Sequence, residues 1–135
     1  MSSPVAYRLP SMARPVVHFE IIGTTPAALR EYYGELFGWE FEVGDTVTET
    51  VSQPGEYGFV APGPEGGIPG GVGGGAGHQP RVLFYVGVPD VEEALQQAET
   101  LGGTRVMGPE GEPGKLIVGH FLDPEGNLLG VAGPQ

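Results

Sequence analysis

The feature that most constrains the fold of this chain is an internal repeat within its 135 residues. A strand pattern, a helix pattern and further strand patterns occur twice, and aligning Thr25 with Asp90 places Phe19 on Phe84. Each half spans roughly 60 residues, which is too few to bury both faces of a sheet alone. The repeat therefore predicts an α+β fold in which two tandem βαβββ modules form curved mixed sheets around a cleft, with the helices outside.

The first half begins with an alternating strand pattern over residues 16–22. Thr25 is a plausible N-cap and Pro26 a plausible first residue for a helix that runs to about Phe37, and Gly38 is a helix stop. Three further strands are predicted in this half, over residues 39–43, 47–51 and 57–61.

The second half repeats this order, with a strand over residues 81–88 and a helix from Asp90 to about Leu101. Its later strands are predicted over residues 104–107, 115–122 and 128–132. Between the halves, the glycine- and proline-rich segment 62–80 is either a disordered linker or a strand end followed by a connector. The predicted organisation is an N-terminal arm (1–14), a first module (15–71), a connector (72–80) and a second module (81–135).

The composition excludes several classes of function. The chain has no cysteine, which excludes disulfides, thiolate catalysis and cysteine metal sites. It has 6 Lys and Arg against 17 Asp and Glu, so it repels phosphate backbones and we expect no nucleic-acid partner. No apolar run approaches the roughly 20 residues of a membrane helix, and no signal peptide is recognised. We therefore expect a cytoplasmic protein that does not bind membranes.

Strand alternation indicates which side chains face the cleft. In the first strand, Val17, Phe19 and Ile21 share one face, which leaves His18 and Glu20 on the other. A His beside a carboxylate is a candidate acid–base pair. A mostly apolar cavity with a few polar groups is typical of a small-molecule site. The residues predicted to line it are His18, Glu20, Leu83, Tyr85, Phe59, Trp39 and His120.

The chain resembles the vicinal oxygen chelate superfamily, which includes glyoxalase I, bleomycin-resistance proteins and extradiol dioxygenases. The motifs that carry the resemblance span residues 16–133 and are His18-Phe19-Glu20-Ile21, the helix from Ala27 to Phe37 with Tyr32-Tyr33, Leu36-Phe37-Gly38-Trp39, Gly67-Ile68-Pro69-Gly70-Gly71, the strand Leu83 to Val88 with Asp90-Val91, Leu101-Gly102-Gly103 and Asp123-Pro124-Glu125-Gly126-Asn127. The resemblance implies one domain over residues 15–133 made of paired βαβββ modules. It also implies a homodimer with sites in the module clefts.

Enzymes of this superfamily usually hold one divalent metal with ligands from the first and last strands of each module. His18 matches the first-strand ligand, but Leu83 and Gly130 stand at two of the other positions. The last strand of the first module, near residues 68–72, offers no ligand side chain. Because a catalytic zinc site needs about three protein ligands, we expect no metal and no other cofactor. A rebuilt divalent-metal site from His18, Glu20 and His120 is the alternative.

Three functions follow from this pattern. The favoured one is metal-independent binding or sequestration of a small molecule, as in the bleomycin-resistance branch, with antibiotic or metabolite resistance as a role. The second is an enzyme of the same fold (a lyase, isomerase or dioxygenase) that uses a rebuilt metal site or His18 and Glu20 as acid–base groups. The third is a structural or regulatory protein without a ligand. The sequence leaves open whether the protein is an enzyme.

Overall fold

A computed structural model of the chain describes residues 13–45, 48–112 and 114–134. The predicted arm falls mostly on residues 1–12, which lie outside the described residues. The first half consists of β1 (Val16–Gly23), α1 (Pro26–Phe37), β2 (Glu42–Gly44), β3 (Tyr57–Val60) and β4 (Gly70–Gly74). The second half consists of β5 (Arg81–Gly87), α2 (Val91–Thr100), β6 (Thr104–Glu110), β7 (Leu116–Leu122) and β8 (Leu128–Pro134).

The strands form one mixed eight-stranded sheet in the order β2-β3-β4-β1-β5-β8-β7-β6. In each half the first strand pairs in parallel with the last, as β1 does with β4 and β5 with β8. The halves join through antiparallel pairing of β1 and β5. This topology confirms the predicted α+β fold with two βαβββ halves.

The antiparallel pairing of β1 with β5 relates the two halves by a local two-fold axis. Phe19 pairs with Phe84, which are the residues that the repeat aligns with each other. On one side of this pair Glu20 lies opposite Leu83, and on the other side His18 lies opposite Tyr85. Because side chains alternate along a strand, these last four side chains share one face, which we call the concave face.

The two helices begin and end close to the predicted residues. Asp90 caps α2, since its side chain accepts a hydrogen bond from the Glu93 amide at 3.0 Å. Thr25 occupies the N-cap position of α1 but makes no side-chain cap bond. Gly38 ends α1 in the left-handed region with φ of 72°, a conformation that favours glycine. Among the described residues, no helix has the length and apolarity needed to cross a membrane.

The glycine-rich segment contains a buried strand. Of the two interpretations of residues 62–80, the structure shows a strand followed by a connector, because β4 spans Gly70–Gly74 and is buried throughout. The strand extends past the predicted module boundary at residue 71, so the connector begins later than residue 72. Small residues suit this strand because aromatic side chains pack against its backbone on both faces. The Phe19 ring lies against Gly70, and the Tyr57 ring lies against Gly71.

The predicted strand over residues 47–51 is wrong for the residues that the structure describes, since 48 is irregular and 49–51 form a turn. Residues 48–53, which we call the strap, instead connect the first half to β6. The Thr50 hydroxyl donates to Glu110 at 2.9 Å, and Val51 packs against the core with 3% of its surface exposed. Ser52 donates to the Gly74 carbonyl and accepts from the Gly74 amide. These side-chain contacts, together with a backbone bond from the Gln53 amide to the Gly74 carbonyl at 2.9 Å, hold the strap in place.

Candidate functional site

A pocket of about 270 Å³ lies on the concave face of the sheet. Strands from both halves contribute to it, together with Asp45 before the strap and Val51 within the strap. Its lining is mainly apolar, with a small number of ionisable groups, which is the usual composition of a small-molecule site. The lining residues are Val17, His18, Glu20, Asp45, Val51, Tyr57, Phe59, Tyr85, Leu116, Val118 and Ala132.

Five side chains at this pocket form a continuous hydrogen-bonded chain, which we call the Glu20 chain. The hydroxyls of Tyr57 and Tyr85 donate to the two carboxyl oxygens of Glu20 at 2.9 and 2.8 Å. Nε2 of His18 lies 2.8 Å from the Tyr57 hydroxyl, and Nε2 of His120 lies 2.7 Å from the Tyr85 hydroxyl. Each tyrosine therefore links the central carboxyl to one imidazole.

The Glu20 chain depends on two glycines at equivalent positions of the two halves. Gly71 pairs with Glu20 in the first half, and Gly130 pairs with Tyr85 in the second. A Cβ atom at Gly71 would overlap the ring of Tyr57, and a Cβ atom at Gly130 would overlap the ring of Tyr85. The tyrosine rings thus occupy the space that side chains on β4 and β8 would fill, which brings their hydroxyls to Glu20.

Burial controls the ionisation of the central groups. Glu20 is 2% exposed, and this burial raises the pKa of its carboxyl. Hydrogen bonds from Tyr85 and Tyr57, together with the charge of Arg81, partly offset the rise. Burial and the neighbouring carboxyl also raise the pKa of both tyrosines, so their hydroxyls remain protonated and donate.

The two imidazoles are held neutral. Burial lowers the pKa of His18, and burial followed by the charge of Arg81 lowers the pKa of His120 to about 4. When Glu20 is ionised, its carboxylate accepts hydrogen bonds from both tyrosine hydroxyls. Each tyrosine proton is then engaged with Glu20, so Nε2 of each imidazole must carry a proton and donate to its tyrosine oxygen. Nδ1 of His120 is then an acceptor, and it is buried without a hydrogen-bond partner among the described residues.

The structure brings together most of the predicted site residues. His18, Glu20, Tyr85 and Phe59 line the pocket. His120 is fully buried and reaches the site through Tyr85. His120 itself, Leu83 and Trp39 are the predicted residues that do not line the pocket.

Leu83 faces the predicted side of the sheet but is 4% exposed and packs in the core with Tyr85, Val118 and Ala132. Trp39 lies away from the pocket, and its ring packs 5.1 Å from Phe37 and 5.2 Å from Phe19. Trp39 therefore does not line this pocket. It precedes β2 rather than lying within a strand, so strand alternation did not apply to it.

Tyr57, Arg81 and Asp45 belong to the site or its surroundings but are not among the residues predicted from the sequence. Tyr57 was detectable, since it lies two residues from Phe59 on the same predicted strand and must share its face. Arg81 shares the parity of Tyr85 and influences the pKa of Glu20 and His120. Its Nε and Nη2 atoms are buried without a hydrogen-bond partner in the part of the chain that the structure describes. No pattern in the sequence singles out Asp45.

The residues present do not fit the divalent metal of the superfamily. Leu83, Gly71 and Gly130 stand where ligands are expected, and tyrosine rings fill the space above both glycines. The rebuilt alternative fits no better, because tyrosine hydroxyls lie between Glu20 and each imidazole. Within residues 13–45, 48–112 and 114–134, no group of three His, Asp or Glu side chains is placed to hold a metal ion.

Comparison with known proteins agrees with this fold. The family described as glyoxalase-like domain matches residues 19–132. Among curated proteins, no sequence matches the chain.

Several solved structures share the fold. A Streptomyces coelicolor methylmalonyl-CoA epimerase variant in complex with 2-nitronate-propionyl-CoA is 16% identical, with a TM-score of 0.61 and coverage of 88% of this chain and 96% of that one. The Mycobacterium tuberculosis methylmalonyl-CoA epimerase is 13% identical, with a TM-score of 0.58 and coverage of 89% and 87%. A hypothetical protein from Bacillus halodurans C-125 is 12% identical, with a TM-score of 0.63 and coverage of 91% and 96%. At these identities the similarity shows the fold alone.

Proposed function

The chain belongs to the glyoxalase-like domain family of the vicinal oxygen chelate superfamily, and from this premise we propose that it binds a small, mainly apolar molecule without a metal ion. The observation that carries the proposal is the concave-face pocket, whose apolar walls surround one edge of the Glu20 chain. Sequestration of an antibiotic or of a reactive metabolite is a role that such binding would serve.

The pocket suits binding because its polar groups are already ordered. Glu20 uses both carboxyl oxygens in bonds to Tyr57 and Tyr85, so these side chains do not lose further rotamer freedom when a ligand enters. His18 bonds Tyr57 through Nε2, and no described hydrogen bond involves its Nδ1. Nδ1 of His18 is thus the ring atom that a ligand in the pocket would meet.

The apolar walls would supply most of the affinity. Phe59 and Leu116 are 41% and 50% exposed and stand at the mouth of the pocket, where a bound molecule would cover them. Each 100 Å² of apolar surface removed from water contributes roughly 2.5 kcal/mol before the costs of association. A ligand of a size that fits about 270 Å³ can therefore reach micromolar affinity only if it is largely apolar.

The chain offers a matched pair of variants for testing this site. Phe59 and Phe84 are 41% and 40% exposed, and they lie on opposite faces of the sheet. A fragment library is screened by thermal shift with EDTA present, since a molecule that binds the folded state raises the melting temperature. We expect fragments that stabilise the wild type to lose most of this effect in Phe59→Ala and to keep it in Phe84→Ala.

The opposite pattern would contradict the proposal. If EDTA abolishes ligand binding, or if both variants bind as the wild type does, the pocket is not a metal-independent binding site. Circular dichroism of both variants controls for loss of folding.

A second candidate function is acid–base catalysis by Glu20. It is favoured by a specific observation, which is a carboxyl in the pocket wall with a raised pKa, because a carboxyl poised nearer neutral pH is a better proton acceptor and donor. Lyases and isomerases of this fold would use such a group without needing the rebuilt metal.

Proton exchange tests this candidate directly. The protein is incubated in D₂O with small ketones and thioesters, and NMR follows deuterium entry next to the carbonyl. Catalysed exchange in the wild type and its loss in Glu20→Gln would support the enzyme. If ligand binding is unchanged and neither protein catalyses exchange, the catalytic candidate is contradicted and binding is the function that remains.

We also propose that the protein is a homodimer in the cytoplasm. The resemblance to the superfamily supports the dimer, and the composition without cysteine supports the location. Light scattering coupled to size-exclusion chromatography tests the dimer, and a monomeric mass at high concentration would contradict it.

A further inference from the structure

The charges at the pocket constrain its ligand more narrowly than its shape does. Glu20 and Asp45 line the pocket, whereas none of the lysines and arginines within the described residues does. The whole chain carries a formal net charge of −11. A ligand that approaches this face therefore meets a negative potential, which attracts cations and repels anions.

Three of the basic side chains that the structure describes pair with groups away from the pocket. Arg105 pairs with Glu92 at 2.9 Å, Lys115 pairs with Glu112 at 3.3 Å, and the Arg30 guanidinium donates to the Glu56 carbonyl at 2.6 Å. Arg81 does not line the pocket, and its Nε and Nη2 atoms are buried. No described basic side chain therefore lines the pocket, although the charge of Arg81 acts on Glu20 from behind it.

Asp45 is an exposed carboxylate held in place at the pocket. Its Oδ1 atom accepts the Gly55 amide at 2.7 Å, which fixes the side chain. Aromatic rings face the same space, and the centroids of Tyr57 and Phe59 lie 4.8 Å apart. An ammonium group gains from both neighbours, through charge attraction to the carboxylate and through cation–π contact with the rings.

From these observations we infer that the pocket selects a small amine, protonated at neutral pH and carried on an apolar or aromatic body, over neutral and anionic molecules of the same size. This inference rests on the proposed binding function and names the ligand class of that site. A preference for amines would also distinguish this protein from the epimerase structures of the same fold, whose ligands are CoA esters and carry phosphates. The amine would lie at Asp45, and its apolar body would lie between Phe59 and Val118.

The probes that test this inference share a phenyl body and differ in charge. They are 2-phenylethylamine, 2-phenylethanol and 3-phenylpropanoate, each titrated by ligand-observed NMR. We expect the amine to bind most tightly and the carboxylate most weakly, with roughly a tenfold difference between these two at low ionic strength. The preference should shrink as salt is added, because salt screens an exposed carboxylate.

The variant Asp45→Asn isolates the charge, since an asparagine oxygen can still accept the Gly55 amide. We expect it to weaken the amine about two- to fivefold, the range typical of one exposed ion pair, and to leave the alcohol unchanged. Glu93→Gln is the control, because Glu93 is an exposed carboxylate on α2 away from the pocket and the substitution changes the net charge equally.

Three results would overturn the inference. If the alcohol or the carboxylate binds as tightly as the amine, or if Asp45→Asn and Glu93→Gln have equal effects, the charge argument fails while the binding function stands. If none of the three probes binds, the amine class is wrong for this body. The proposed function fails on different results, which are loss of binding in EDTA or a library in which no fragment distinguishes Phe59→Ala from Phe84→Ala.

Discussion

Acidification should destabilise this protein through His120, and the size of the effect follows from its burial. His120 is 0% exposed, and its pKa lies at about 4 in the fold against 6.5 in an ordinary environment. Between these values the unfolded chain binds a proton that the folded protein does not. The free energy of unfolding therefore rises with pH in this window and falls as the pH is lowered through it.

The two pKa values give the magnitude. Linkage predicts a loss of about 2 kcal/mol from His120 when the pH falls from about 7.5 to about 5. Glu20 contributes with the opposite sign, because a raised carboxyl pKa makes the fold take up its proton earlier and gain stability on acidification. The measurement must therefore isolate His120 from the other groups.

Urea unfolding of the wild type and of His120→Gln at several pH values makes this separation. Glutamine retains an amide that can bond the Tyr85 hydroxyl, so the fold is kept while the titrating group is removed. The wild type should lose about 2 kcal/mol more than the variant over this pH range. A parallel series in the Glu20→Gln background controls for coupling through Tyr85, which bonds both residues.

Equal pH slopes in the wild type and in His120→Gln would refute this reasoning. So would an NMR titration in which the His120 ring protonates at its ordinary pKa within the folded protein. Either result would mean that His120 is accessible to water, and the closed Glu20 chain would then be wrong.

Two further predictions concern backbone positions. Gly130→Ala should destabilise the fold by about 2–4 kcal/mol in urea unfolding, because the added methyl group displaces the Tyr85 ring from its two hydrogen bonds. Gly44→Ala is the control and should change urea unfolding little, because its methyl group meets no atom within 4 Å. Asp90→Ala should lower the free energy of unfolding by about 1 kcal/mol, because it removes the cap of α2. Thr25→Ala should lower it less, because the Thr25 side chain makes no cap bond. Equal losses of stability for the two variants in thermal unfolding would contradict this prediction.

The sequence predicted the fold well because its signals are local and occur twice. Alternation placed His18 and Glu20 together in β1 and Tyr85 on the same face in β5, since side-chain direction alternates along a regular strand. The alternation predicted the wrong face for Val17, which lines the pocket where the β1 register shifts between Val16 and His18. The repeat then predicted that the two strands belong to equivalent halves. The boundaries of both helices followed from turn and capping residues such as Gly38 and Asp90.

The errors arose where local preference conflicted with contacts distant in sequence. The segment 47–51 is rich in β-branched residues, which predicts a strand, but residues 49–51 form a turn. Thr50 in this turn bonds Glu110, which is 60 residues away. Trp39 was assigned to the cleft as an aromatic strand residue. The structure packs it with Phe19 and Phe37 instead, since it lies just outside β2.

The sequence by itself determined the two modules, the face that carries the site, and the missing ligands at Leu83 and Gly130. Only the tertiary structure decided what replaced those ligands. The two tyrosines that hold Glu20 lie 37 and 65 residues from it in sequence, so no local pattern joins them. The raised pKa of Glu20 and the neutral imidazoles likewise depend on burial, which exists only when distant strands exclude water from the same point.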